Sequence, residues 1–145
     1  MNQYGPIIVI EDDNDDQQLL MEVFEELKYP NKVLFFSDGF QALAYLEKSQ
    51  DKPFLILSDI NLPRLNGFEL RRKIHNNEAL RLKCIPYLFF TTSAAHQAII
   101  DAYSESVQGF FVKPASYAHL VRTIRRIMEY WMECKAPFSH AAKEG

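Results

Sequence analysis

Residues 6–13, Pro-Ile-Ile-Val-Ile-Glu-Asp-Asp, run from an unbroken apolar stretch straight into acids. Successive β-branched side chains fit a strand covered on both faces, because a half-exposed strand would alternate apolar with polar. Working outward, comparable runs recur at Lys32 to Phe36, Phe54 to Ser58, Tyr87 to Thr91 and Gly109 to Val112. Between them apolar residues take helical spacing: Leu19, Leu20, Val23, Phe24 and Leu27, then Ala42, Leu43 and Leu46, then Leu70 and Ile74. Ala98, Ile99, Ala102 and Tyr103 follow, and finally Leu120, Ile124, Ile127 and Trp131. The order is strand then helix, repeated, which predicts an α/β fold with a doubly wound five-stranded parallel sheet and right-handed crossovers. In such a sheet the ligand site lies beyond the carboxyl ends of the strands. Asn14, Asp38 and Ser116 each precede a helical pattern and are the expected caps. Residues Asn76 to Lys83 are polar and irregular, and read as a fraying helix end with a loop.

A chain of 145 residues, 48% of them hydrophobic, has material for one core and not for two. One unit, residues 1–134, is therefore expected to carry the function, with 135–145 a poorly ordered tail. A formal net charge of -3 leaves no broad basic surface for neutralising nucleic-acid phosphates. The apolar run near the N-terminus is too short for a signal-peptide core and lacks its basic flank, and nothing approaches a membrane span. Cys84 and Cys134 show no metal-type spacing and are read as reduced packing residues, which fits a cytoplasmic protein. His75, His96, His119 and His140 are scattered without ligand spacing.

The strand ends carry the chemistry. The first strand ends at Glu11-Asp12-Asp13, the third at Ser58-Asp59, the fourth at Thr91-Thr92 and the fifth at Lys113-Pro114. Crowded carboxylates raise one another's pKa unless a cation is supplied. A hard divalent ion resolves the conflict, and Mg²⁺, which keeps several waters, suits so few carboxylates. An ionised Asp needs no general base to attack phosphorus, so Asp59 can form an acyl phosphate directly. The metal, the Lys113 ammonium and the Thr91 hydroxyl would then each hold a phosphoryl oxygen.

Ile-Val-Ile-Glu-Asp-Asp at 8–13, Ser-Asp-Ile-Asn-Leu-Pro-Arg-Leu-Asn-Gly at 58–67, Thr91, and Val-Lys-Pro at 112–114 resemble the response-regulator receiver pattern of chemotaxis-type, stand-alone members. The spacing agrees as well: Gly67 is eight residues after Asp59, and Lys113 is 22 after Thr91. The resemblance implies a (βα)₅ flavodoxin-like receiver fold. It implies that Asp59 is the phosphoacceptor, converted to 4-aspartylphosphate by a sensor histidine kinase. It makes Asp12 a direct Mg²⁺ ligand, Glu11 a water-mediated one, and Asn61 a ligand through its backbone carbonyl. Asp13 takes the direct place instead if the strand register shifts by one residue. The Lys113–Pro114 bond resembles one that is cis in the family, which would point the lysine into the crevice. Thr92 is a departure, since the family usually has Ala or Gly there; it is similar to a subgroup that includes regulators paired with bacterial phytochromes. Asn61 and Ser93 stand at positions that tune phosphate lifetime in the family.

Phe110 occupies the position of the family's aromatic switch, expected to turn inward when Thr91 moves toward a phosphoryl group. The fourth helix, fifth strand and last helix form the family's docking or dimerisation face, and here that face is expected to carry Tyr103, Tyr117, Arg122, Arg125 and Arg126. A homodimer through it is one expected assembly, since Arg beside Tyr is enriched at interfaces. Output would pass to a downstream protein or a histidine phosphotransfer protein, with no nucleic acid and no membrane involved.

Three other functions compete. A haloacid-dehalogenase-type phosphatase needs a second acid two residues after its nucleophile, where this chain has Asn61, and a cap domain. A flavodoxin-like electron carrier needs a hydroxyl- and glycine-rich phosphate loop where this chain has acids. A receiver-like module that binds partners without phosphorylation is the remaining rival, although the full set of chemical residues is present. Self-catalysed phosphoryl acceptance and autodephosphorylation do not make an enzyme in the turnover sense.

Overall fold

The computed structural model describes residues 1–92 and 95–137. Five parallel strands form one sheet in the order β2-β1-β3-β4-β5: β1 (Ile7–Ile10), β2 (Val33–Phe36), β3 (Leu55–Ser58), β4 (Tyr87–Thr91) and β5 (Gly109–Val112). The helices among the described residues are α1 (Asn14–Leu27), α2 (Gly39–Lys48), α3 (Gly67–Asn76), α4 (Glu78–Arg81), α5 (His96–Ser104) and α6 (Tyr117–Glu133). The one addition to the expected order is α4, a single turn inside the stretch expected to be irregular. Asn77 caps it by accepting from the Leu80 N–H, and polar composition had hidden that cap. The fourth helix of the sequence reading is therefore α5.

The unbroken apolar runs are explained by two cores, one on each face of the sheet. Ile7 and Val9 point to one face, where Leu20, Val23 and Phe24 of α1 pack with Leu120, Ile124 and Ile127 of α6. Ile8 and Ile10 point to the other, against Ala42 and Leu46 of α2, Leu70 and Ile74 of α3, and Ala102 of α5. Removing each such side chain from water contributes roughly 1.5–3 kcal/mol, so a polar residue on β1 or β3 would cost one core or the other. Ala136, just past α6, is buried in the first core, and residues 138–145 lie outside the described residues.

Asp38 and Ser116 cap α2 and α6 as expected, accepting from the N–H groups of Gln41 and His119. At α1 the cap is Asp13 and not Asn14: its carboxylate accepts from the N–H groups of Asp15 and Asp16. The helix begins one residue earlier than the side-chain pattern indicated. Cys134 packs against the first core, but Cys84 is exposed at a left-handed turn (φ 54°), so it is not a packing residue.

Candidate functional site: a lysine among carboxylates

The order of the strands puts β1 and β3 side by side at the centre, where the direction of winding reverses, and opens a crevice above their carboxyl ends. Its volume is about 610 Å³, and its lining includes Glu11, Asp12, Asp59, Asn61, Thr92 and Lys113. Asp59 follows β3 directly; its backbone N–H donates to the Ile10 carbonyl, which locks it beside β1. Gly67, the first residue of α3, allows a close approach, since a Cβ there would lie 2.5 Å from the Asp59 carbonyl oxygen. The same loop is clamped at Arg64, which donates to the α2 cap Asp38 at 2.7 Å and lies over the Phe40 ring.

The Asp59 carboxylate accepts three hydrogen bonds. Oδ1 accepts from the Thr91 hydroxyl at 2.9 Å and from the Asn61 N–H at 3.2 Å, and Oδ2 accepts from Lys113 Nζ at 3.0 Å. The same ammonium donates to Asp16 at 2.8 Å and to Glu11. Burial favours a protonated Asp59, but the bond and charge of Lys113, with Thr91 and Asn61, outweigh it and hold the carboxyl below its usual range. Burial dominates at Glu11 and pushes its carboxyl up to about 7 against the pull of Lys113. Burial would lower the Lys113 ammonium, yet its carboxylate partners, Asp16 first, raise it above the ordinary lysine range.

The sequence-predicted residues separate into three groups. Glu11, Asp59, Thr91 and Lys113 are in direct hydrogen-bond contact around one carboxylate. Asp12 and Asn61 line the crevice without joining that cluster through their side chains. Phe110 lies apart, half-buried on β5, edge-on to the buried Phe89 with ring centroids 6.3 Å apart. Among the described residues no peptide bond is cis, so Lys113–Pro114 is trans, and the lysine reaches the crevice from that geometry. Ser93 lies outside the described residues. Tyr117 is also displaced from expectation: its hydroxyl donates to Glu26 of α1, which turns it away from the α5 side of α6.

Asp16 was missed. Both Asp15 and Asp16 line the crevice, but only the helix start shows that Asp16, half-buried, meets Lys113 while Asp15 stays exposed.

A divalent ion fits this donor set in chemistry: buried Glu11 with a raised pKa, exposed Asp12, and Asp59, all oxygen donors in one crevice. Among the described residues no His, Cys, Asp or Glu group forms a ready cage. The Lys113 ammonium lies between Glu11 and Asp59.

The chain belongs to the response regulator receiver domain family, whose sequence profile matches residues 7–125. It has the sequence of a two-component response regulator, and its match spans 83% and 88% of the two relatives that follow. It is 35% identical over 130 residues to the probable methanogenesis regulatory protein FilR2 of Methanothrix harundinacea, covering 87% of this chain and 83% of that one. It is 30% identical to response regulator Rcp1 of Synechocystis, covering 88% of each. The Mn²⁺-bound structure of Rcp1 aligns with a TM-score of 0.77 at 28% identity, over 90% of this chain and 97% of that one. The phosphorylated cyanobacterial phytochrome response regulator RcpA aligns with a TM-score of 0.82 at 29% identity, over 91% and 97%. Phosphoryl acceptance in two-component signalling is the function of this family, whose members bind Mg²⁺ in the active site and act as signalling proteins, not classical enzymes. No described helix is long and apolar enough to cross a membrane.

Proposed function

We propose that Asp59 accepts a phosphoryl group from a sensor histidine kinase and that the chain signals through the change this makes in its surface. The observation that carries this reading is the Asp59 carboxylate held by Thr91, Asn61 and Lys113 at the floor of an open crevice. An Asp59 oxygen forms the new bond to phosphorus while the bond from phosphorus to the donor imidazole nitrogen breaks, giving an acyl phosphate. Held ionised, Asp59 needs no base. Thr91 and Lys113 already touch its two oxygens, so each is one short movement from a phosphoryl oxygen.

Mg²⁺ held by Asp12, Asp59 and the Asn61 backbone carbonyl, with Glu11 behind a water, would neutralise charge on the transferring group. Asp12 suits the direct place better than Asp13, whose carboxylate is committed to capping α1. The strand ends that carry Thr91 and Lys113 would be drawn toward the phosphoryl group, and Phe110, packed edge-on to Phe89 beside them, would report the movement on the surface. Tyr103 and the exposed Arg122, Arg125 and Arg126 are the residues offered to a downstream protein, a histidine phosphotransfer protein or a second copy. We assign the protein to the cytoplasm and the autodephosphorylation to this same crevice.

The test is intact mass after incubation with acetyl phosphate and Mg²⁺. Wild type should gain one phosphoryl group; Asp59→Asn, or wild type with a chelator, should gain none. If neither acetyl phosphate nor phosphorylated histidine kinases label wild type, the phosphorylation-independent binding module replaces this reading.

A further inference from the structure

An ammonium group has three N–H donors. In this protein the Lys113 ammonium directs its bonds at Glu11, Asp16 and Asp59. A phosphoryl oxygen arriving on Asp59 therefore finds no spare donor on Lys113, and one existing acceptor must give way.

The acceptors differ in how easily they release it. The Glu11 side chain is 3% exposed and also accepts the Asp13 N–H; Asp59 is 9% exposed and is the reacting group itself. Asp16 is 31% exposed, so water can replace the lysine on its carboxylate. Its backbone is nonetheless fixed, because the Asp16 N–H donates to the Asp13 cap in the first turn of α1. The carboxylate therefore stays in reach of Lys113 whatever happens at Asp59.

Building on the reading that Asp59 is phosphorylated, we infer that Asp16 is a positioning residue for Lys113. It holds the ammonium in the resting protein and is exchanged for a phosphoryl oxygen when Asp59 is modified. Neither the family resemblance nor any motif in the chain assigns Asp16 a part. The exchange breaks one hydrogen bond, Lys113 to Asp16, and forms one, Lys113 to the phosphoryl oxygen, with water taking the place left on Asp16. It sets a brake on phosphoryl acceptance, because a contact between full charges must be released before the lysine can serve the incoming group.

The experiment is the initial rate of adduct formation from acetyl phosphate with Mg²⁺, read by intact mass in wild type, Asp16→Asn, Asp15→Asn, Lys113→Ala and the Asp16→Asn/Lys113→Ala double variant. Asp15 carries the same charge one residue away on the rim of the same crevice, but it is exposed and makes no hydrogen bond to Lys113. Asp16→Asn should accept the phosphoryl group about three- to tenfold faster than wild type, while Asp15→Asn changes the rate by less than about twofold. In the Lys113→Ala background the Asp16→Asn effect should vanish, because the two substitutions remove the same contact. An unchanged Asp16→Asn rate overturns the inference. So does equal acceleration in Asp15→Asn or in the Lys113→Ala background, which would make Asp16 a source of field charge alone. A slower Asp16→Asn with weaker Mg²⁺ binding would overturn it in favour of a metal ligand. If wild type takes no phosphoryl group, the functional reading fails and this inference with it; if wild type is labelled and Asp16→Asn matches it, only the inference fails.

Discussion

Two lysines in this protein are each held by three oxygens, at opposite ends of the sheet. Near the amino ends, Lys83 Nζ donates to the carbonyls of Leu46 at 3.3 Å and of Ser49 and Asp51 at 3.1 Å each. At the carboxyl ends, Lys113 Nζ donates to the carboxylates of Glu11, Asp16 and Asp59. Carbonyls at the end of α2 are fixed dipoles; they satisfy a cation and complement the helix terminus, but they cannot leave, protonate or carry a phosphoryl group. Carboxylates can do all of these. Burial accordingly lowers the Lys83 pKa, whereas its acidic partners raise that of Lys113. The same residue type is a structural clamp at one end and, on the proposed reading, an exchangeable counter-ion at the other, and the acceptor chemistry makes the difference.

Substituting each lysine by alanine sharpens that contrast. For Lys113→Ala the expected loss is on the order of 10²-fold in the rate of phosphoryl acceptance, about 2.7 kcal/mol of transition-state stabilisation. Its Mg²⁺ affinity, measured calorimetrically, should rise, because a competing cation has gone. Lys83→Ala should do the opposite: about 1–2 kcal/mol less stability by urea unfolding, from carbonyls left without a donor, and an unchanged labelling rate. Equal effects of the two substitutions on labelling would break the comparison.

A further contrast is in pH. Because burial lifts the folded Glu11 pKa to about 7 from 4.5, its proton-linked stabilisation of the metal-free protein is fully present below pH 4.5 and is lost as pH rises through about 7. Asp59, with a lowered pKa, acts in the opposite sense and only at more acidic pH, so it leaves this window to Glu11. Urea midpoints should fall between pH 5 and 8 without metal. Mg²⁺ affinity should climb over the same interval by at most about tenfold per pH unit, since the ion competes with one proton. Glu11→Gln should flatten both curves.

The strands were legible because parallel strands between two cores must be apolar on both faces, and Ile7 to Ile10 have no other good reading. The crevice followed from the strand ends and the winding rule. The parts that escaped depend on where one helix starts and how a side chain turns. Asn14 and Asp13 are equally good caps by composition, and only the backbone decides between them. Once Asp13 is the cap, Asp16 faces Lys113, which no acid run reveals by itself. Tyr117 went astray for a similar reason, because its hydroxyl turns to Glu26 of α1, which the spacing of α6 does not reveal. Cys84 looked like a core residue beside Ile85, but the left-handed turn after α4 puts it outside.

The contact between Lys113 and Glu11 joins residues 102 positions apart. During synthesis, therefore, the acids, Asp59 and Thr91 emerge well before the cation that gathers them, and a chain cut ahead of β5 keeps the proposed phosphoacceptor and its hydroxyl partner but lacks the ammonium. On the proposed reading, full competence to receive a phosphoryl group waits for β5, the strand that brings Lys113 to the crevice.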